Sequence, residues 1–175
     1  MSLTGEQPGV LRGIAAAMLL TVLSLLAAIL TDVFPLPVTD SPAERAGFAA
    51  SWAILVVVWL VVAVGSLARH RFFNPGDIGG SGLADDSQAA KVKQAYLQNT
   101  LEQVVLAAVV YGMAAVLLPV AWLSSIPAAA ILFAVGRVLF RARYEKGAAA
   151  RALGFGLTFY PTVALLVVVI VAVFT

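Results

Sequence analysis

Long apolar runs separated by short polar stretches organise this chain. A helix needs roughly 20 mostly apolar residues to cross a bilayer. Five runs fit that requirement: about Val10–Val33, Phe48–Ala68, Ala95–Leu118, Ile126–Leu139 with a polar continuation to Tyr144, and Ala152–Phe174. The pattern predicts an all-α integral membrane protein with five spans. Helix signals support these limits. Ser41-Pro42-Ala43-Glu44 reads as an N-cap, a proline in the first turn and a capping acid. Asp85, Asp86 and Ser87 suit the start of the third helix, and Pro119 suits its end. Ser124 or Ser125 with Pro127 opens the fourth, and Pro161 is expected to kink the fifth or free a carbonyl. The first run is too long for a signal-peptide core and precedes no good small-x-small cleavage site, so it reads as a span.

Composition narrows the class. Of 175 residues, 62% are hydrophobic and 11% charged, against about a quarter charged in a soluble domain. That excludes an ordinary water-soluble globule, a disordered tail and a nucleic-acid-binding domain. The net charge of +2 is no polybasic surface. The absence of cysteine excludes a disulfide framework, a cysteine nucleophile and thiolate metal ligands. One histidine without a ligand cluster gives no zinc site, so no metal is expected.

The basic residues are unevenly distributed. Arg12, Arg69, Arg71, Lys91, Lys93, Arg137, Arg141, Arg143, Lys146 and Arg151 fall on one side of a five-span arrangement, and only Arg45 on the other. The positive-inside rule then puts the N-terminus in the cytoplasm and the C-terminus outside. The expected location is the cell membrane, with the polar loops of the basic side facing the cytoplasm.

Polar chemistry is concentrated on that basic side. The run Asn74–Gly82 is glycine-rich, but it lacks the following Lys-Ser/Thr and the preceding strand of a phosphate loop, and reads as a connector with a lid as the alternative. On the third helix, Asn99, Glu102 and Gln103 share a face, with Tyr96 one turn earlier. A carboxylate in an apolar helix costs on the order of 2.5–3.5 kcal/mol on insertion scales. It is expected to face an interior and meet a cation, while Asn and Gln also serve as glue between helices. On the fourth helix Arg137, Phe140, Arg141 and Tyr144 project together, and Arg137 lies deepest as the natural partner for Glu102. Arg141 with Glu145 reads as a surface pair, and Arg143 and Lys146 as headgroup anchors. His70, between two arginines, reads as an interfacial residue in preference to a catalytic base. Trp52, Trp59 and Trp122 read as packing or belt residues.

Two of these runs carry a family resemblance. Tyr96-Leu97-Gln98-Asn99-Thr100-Leu101-Glu102-Gln103 contains Asn-x-x-Glu, and a later run has Arg137, Phe140, Tyr144, Gly147, Arg151, Gly154 and Phe155 at fixed spacing. Together they resemble the signatures of the MAPEG family, membrane-associated proteins of eicosanoid and glutathione metabolism. The resemblance extends from about Ser66 to the C-terminus. It implies a four-helix bundle assembled as a homotrimer, with glutathione as co-substrate between neighbouring subunits. In this chain the family bundle would occupy residues 47–175, with residues 1–46 forming an N-terminal segment that carries an extra transmembrane helix. Carried over by position, Asn99, Glu102, Arg137 and Tyr144 would bind glutathione. Arg69 or Arg71 would match basic residues after the family's first helix, and Arg151 the arginine that stabilises the thiolate.

The resemblance thus implies a glutathione-dependent transferase or peroxidase acting on lipophilic electrophiles that arrive from the membrane lipid. Planar arginines suit the tripeptide's carboxylates, Glu102 its ammonium, and a nearby cation favours thiolate over a thiol whose ordinary pKa is about 8.5. Two positions depart from many active members: Ala95 stands where an arginine precedes the motif asparagine, and Phe140 replaces a tyrosine. They favour an alternative, a non-catalytic scaffold of the same fold that binds a lipid or a partner membrane protein. Ala15, Ala16, Ala17, Ala27 and Ala28 would permit close helix approach to such a partner. A transporter is the weakest reading, for want of internal repeats or paired broken helices.

Overall fold

A computed structural model describes residues 5–31, 33–37, 40–80 and 86–175. It contains five long helices: α1 (Gln7–Thr31), α2 (Pro42–Phe73), α3 (Gln88–Leu117), α4 (Ser125–Ala142) and α5 (Ala148–Phe174). No strand occurs among the described residues. All five are long and apolar enough to cross a membrane, α4 together with the short 3-10 turn before it. Their outward surfaces are apolar as well. Leu19, Leu30, Ile54, Val61, Val116 and Val171 are all exposed, as expected where lipid replaces water as the solvent.

The helix ends follow local chemistry. Ser41 caps α2 by accepting a hydrogen bond from the Glu44 amide at 3.2 Å, with Pro42 at the first helical position. Ser87 caps α3 by accepting from the Ala90 amide, also at 3.2 Å. Asp85, also assigned to this helix start, lies outside the described residues, as do Ser81 and Gly82 of the glycine-rich run. α3 stops at Leu117, two residues before Pro119. α5 continues unbroken through Pro161, whose missing N–H leaves the Leu157 carbonyl without its usual helical donor.

α2, α3, α4 and α5 form the bundle, with α4 the most enclosed. Seven consecutive residues, Ser124–Ala130, are buried, followed by Phe133, Gly136, Arg137 and Phe140 on one stripe. The α4–α5 contact is unusually close. A methyl group added at Gly136 would lie 2.8 Å from the Gly154 carbonyl oxygen, and one at Gly154 would overlap the Phe140 backbone. This approach sets Arg137 against α5.

α1 packs mainly on α5 and less on α4, and its Leu25 and Ala28 join the main hydrophobic core. Gly9, Gly13 and Ala17 recur at four-residue spacing and meet Ala149, Ala152 and Gly156 of α5. Small residues on both sides let the backbones approach, which supplies van der Waals contact where lipid offers no hydrophobic drive. The seam differs from the alanines singled out in the sequence. Of those, only Ala17 lies on it, while Ala15, Ala16 and Ala27 are exposed. The Glu6 carboxylate adds a polar clasp. It accepts from the Ala148 amide at 2.5 Å and from the Ala149 amide at 3.2 Å, capping α5 from the residue just before α1. Gly147, at φ +94°, turns the chain into α5 beside that carboxylate.

Candidate functional site

Arg137 is the largest fully buried side chain in the chain as described. Its Nη1 donates to Asn99 Oδ1 at 2.9 Å and to Thr100 Oγ1 at 3.5 Å, and its Nη2 donates to Thr158 Oγ1 at 2.7 Å. The guanidinium sits 4.5 Å over the Phe140 ring. A buried cation is thus held by neutral oxygens from α3 and α5 and by an aromatic face.

This corrects the expected pairing with Glu102. Glu102 is exposed on α3 and accepts a hydrogen bond from Gln98 Nε2 at 2.9 Å. At about 100° per residue, Glu102 falls about 60° to the outer side of Asn99, and Gln103 about 40° to the inner side. Nearness on one helix face was real, but the bundle boundary runs between them: Gln103 is buried. The carboxylate is left facing the surroundings of a single chain. The expected Arg141–Glu145 pair does not form either; the described ion pairs are Arg45–Asp40, His70–Asp77 and Arg71–Asp86.

In front of Arg137 lies a cavity of about 360 Å³, bordered by Asn99, Phe140, Tyr144, Arg151 and Phe155, with Val10 and Ile14 of α1 closing one side. This volume is at the lower end of the range for small-molecule sites, about 300–1,000 Å³. The structure therefore brings Asn99, Tyr144 and Arg151 together. Arg137 does not border the cavity; it stands behind Asn99 and Phe140 and fixes both. Asn99, which borders the cavity, uses its oxygen on Arg137 and leaves its Nδ2 without a described partner.

The half-buried Arg151 guanidinium lies 4.8 Å over the Tyr144 ring, and Nη1 donates to the Tyr144 carbonyl at 3.4 Å. It has no acidic partner among the described residues. Tyr144 is in turn held edge-on against Tyr96 and Phe140, whose rings stack on each other. Phe140, in place of a tyrosine, is thus a packing element of an aromatic cluster that orients Tyr144.

Arg69 and Arg71 do not border this cavity. Arg71 approaches Asp86 at 3.7 Å and Gln94 Oε1 at 3.5 Å, tying α2 to α3. Arg69 lines a separate cavity with Lys93 and Arg141. Ala95 is exposed on α3.

The sequence reading missed Asp77. It is buried at the end of α2 and accepts from the Ser87 amide and hydroxyl, both at 2.7 Å, and from His70 Nε2 at 2.9 Å. The Ser87 amide, then its hydroxyl, then His70 hold the carboxyl below its ordinary value, against the opposing effect of burial. His70 is oriented by this acid. The first half of the glycine-rich run is therefore a fixed corner. Its signal was an acid ten residues before a serine N-cap, a separation too long for local capping rules to notice. Among the described residues no group of three or more His, Asp or Glu side chains could hold a metal ion.

The family model of MAPEG matches residues 47–171, from the first turns of α2 almost to the end of α5. The chain belongs to the MAPEG family. Both sequence signatures and every residue around the cavity except Val10 and Ile14 fall inside the match. α1 lies outside it, so the MAPEG match stops short of the helix that closes one wall. No curated protein and no solved structure gives a significant match. MAPEG membership and five membrane-length helices point to a multi-pass membrane protein of glutathione and eicosanoid metabolism.

Proposed function

We propose that this protein is a membrane-embedded, glutathione-dependent transferase or peroxidase acting on lipophilic electrophiles. The observation that carries the reading is the cavity in which Arg151, Tyr144 and the Asn99 carboxamide converge within the MAPEG match. Among the described residues no acid pairs with Arg151, which leaves it available to an anionic ligand. Its guanidinium would hold the thiol as thiolate, the nucleophile that attacks an electrophile. Asn99 Nδ2 would donate to the tripeptide backbone, Arg137 would fix Asn99 from behind, and Tyr144 would position Arg151. The apolar sides at Phe140, Phe155, Val10 and Ile14 suit a substrate delivered from lipid.

Glutathione carries an ammonium and two carboxylates, more charge than one cavity wall answers. We assign Glu102 to a contact that a neighbouring subunit completes, in the homotrimer common to the family. An exposed carboxylate on an apolar helix supports that assignment, because lipid alone would leave it unpaired. The basic end of the bundle, with the cavity, would face the cytoplasm. Residues 47–175 would form the family bundle, and residues 1–46 an addition to it.

The test is glutathione binding to detergent-solubilised protein, followed by the ultraviolet thiolate band. Arg151→Ala should lose the band and turnover while the oligomer persists. Wild-type protein without a thiolate signal at millimolar glutathione would overturn the reading. That result would favour the second one, a non-catalytic MAPEG scaffold. The specific observations behind the scaffold are the exposed Ala95, where a cation is missing, and the engagement of Phe140 in packing.

A further inference from the structure

Three cations from three helices converge on a second cavity. Arg69 of α2, Lys93 of α3 and Arg141 of α4 border a space of about 620 Å³. None of the three makes an ion pair or a side-chain hydrogen bond among the described residues. The nearby acids are otherwise engaged: Asp77 with His70 and Ser87, and Asp86 with Arg71. Glu145 borders a smaller adjoining cavity with Lys93 and Arg141, yet pairs with neither. Like charges held together at a membrane boundary repel one another unless an anion joins them.

The rest of the lining comes from α2, where Ser66 and His70 are polar and the other residues apolar. Val62, Gly65 and Phe73 of α2 complete the cavity, and Phe73 is two-thirds exposed. Nothing fills the space a side chain would take at Gly65. From Arg69 back to Val62, α2 descends about 10 Å into its apolar span. There the exposed Val58, one turn further along the same face, continues the surface. A charged rim above an apolar groove matches an amphiphile, with its anion at the rim and its chain in the groove.

We propose that this cavity binds an anionic phospholipid, with the phosphate between Arg69, Lys93 and Arg141 and an acyl chain along the Val62–Phe73 face of α2. Phosphate is the shared chemistry of a lipid headgroup and a free anion; the apolar groove favours the lipid. This site is separate from the Arg151 cavity and does not depend on the thiol reading.

The experiment is native mass spectrometry of the full chain in detergent, titrated with phosphatidylglycerol, phosphatidylcholine or inorganic phosphate. Phosphatidylglycerol should bind more tightly than phosphatidylcholine. Each of Arg69→Gln, Lys93→Gln and Arg141→Gln should weaken it about fivefold, the equivalent of about 1 kcal/mol per basic residue near anionic lipid. Arg143→Gln and Lys146→Gln, outside the cavity, should leave it unchanged. Equal loss in those two would show a diffuse basic surface and overturn the proposal. So would binding of inorganic phosphate as tight as that of the lipid, or displacement of the lipid by millimolar glutathione. The Lys93→Gln/Arg141→Gln double variant should keep its glutathione thiolate signal, which separates failure here from failure of the thiol site.

Discussion

The Glu6 carboxylate caps the Ala148 amide, so a residue ahead of the first helix completes the start of the last one. The Gly9–Gly13–Ala17 seam then lays α1 along α5 and brings Val10 and Ile14 to the cavity. Glu6→Ala should destabilise the protein by about 1 kcal/mol, the usual cost of a lost cap. Amide exchange at Ala148 and Ala149 should accelerate, read by hydrogen–deuterium exchange. Unchanged exchange there would sink the clasp.

Gly13→Leu tests the seam itself. Its side chain has no room against Ala152 and the Leu153 backbone, so α1 should swing off α5. Cysteine pairs introduced at Ile14 and Phe155 should then lose cross-linking efficiency. A scaffold whose partner engages α1 would instead show a change in captured partner with intact cross-linking.

Arg137→Leu should cost on the order of 1–3 kcal/mol in detergent melts, because Asn99 and Thr158 lose a buried partner. Arg137→Lys should not restore stability, since one ammonium lacks the planar fork that reaches α3 and α5 together. Equal melting of wild type and Leu variant would remove Arg137 from its supporting role.

Tyr144 meets Arg151 through its ring face and backbone carbonyl. Tyr144→Phe should therefore leave glutathione affinity within about twofold. Tyr144→Leu should weaken it about two- to fivefold, the equivalent of about 0.5–1 kcal/mol for an exposed cation–π contact. Isothermal titration distinguishes the two, and a Phe variant as weak as Leu would show that the hydroxyl matters.

Asp77 gives a pH dependence of defined sign. Its folded-state pKa lies below its ordinary value, so its contribution is present above about pH 4 and lost as pH falls through the folded value. The corner between α2 and α3 should become protease-sensitive below that point. Asp77→Asn should be sensitive at neutral pH and lose the acid transition. An acid transition retained in the Asn variant would assign it to another group.

The helices and their caps were legible because each depends on a few consecutive residues. Ser41 and Ser87 act within three positions, and an apolar run declares its own length. The order of the two signatures likewise pointed to the site end of the bundle, and Asn99, Tyr144 and Arg151 do meet there. What failed depended on rotation and docking. Periodicity placed Glu102 beside Asn99 but could not tell which side of Asn99 the neighbouring helices cover. Arg137 accordingly received a carboxylate partner on paper, when a carboxamide and two hydroxyls hold it. The Asp77 corner leaves no local pattern, because its halves lie far apart in the chain, and the four-residue spacing of Gly9, Gly13 and Ala17 marks a close-packing face without naming the helix that meets it.

The neutral cradle of Arg137 also constrains the order of biogenesis. Asn99 and Thr100 are synthesised before the arginine, but Thr158 follows it by twenty-one residues. While α5 is still within the ribosome, α4 carries a cation with only part of its cradle. An arginine opposes insertion by about 2.5–3.5 kcal/mol at a helix centre and by less nearer the end, where Arg137 stands. α4 and α5 should therefore enter the bilayer as a pair, joined by the short turn at Tyr144–Lys146. Chains truncated before Thr158 should leave α4 poorly inserted and become targets for membrane quality control.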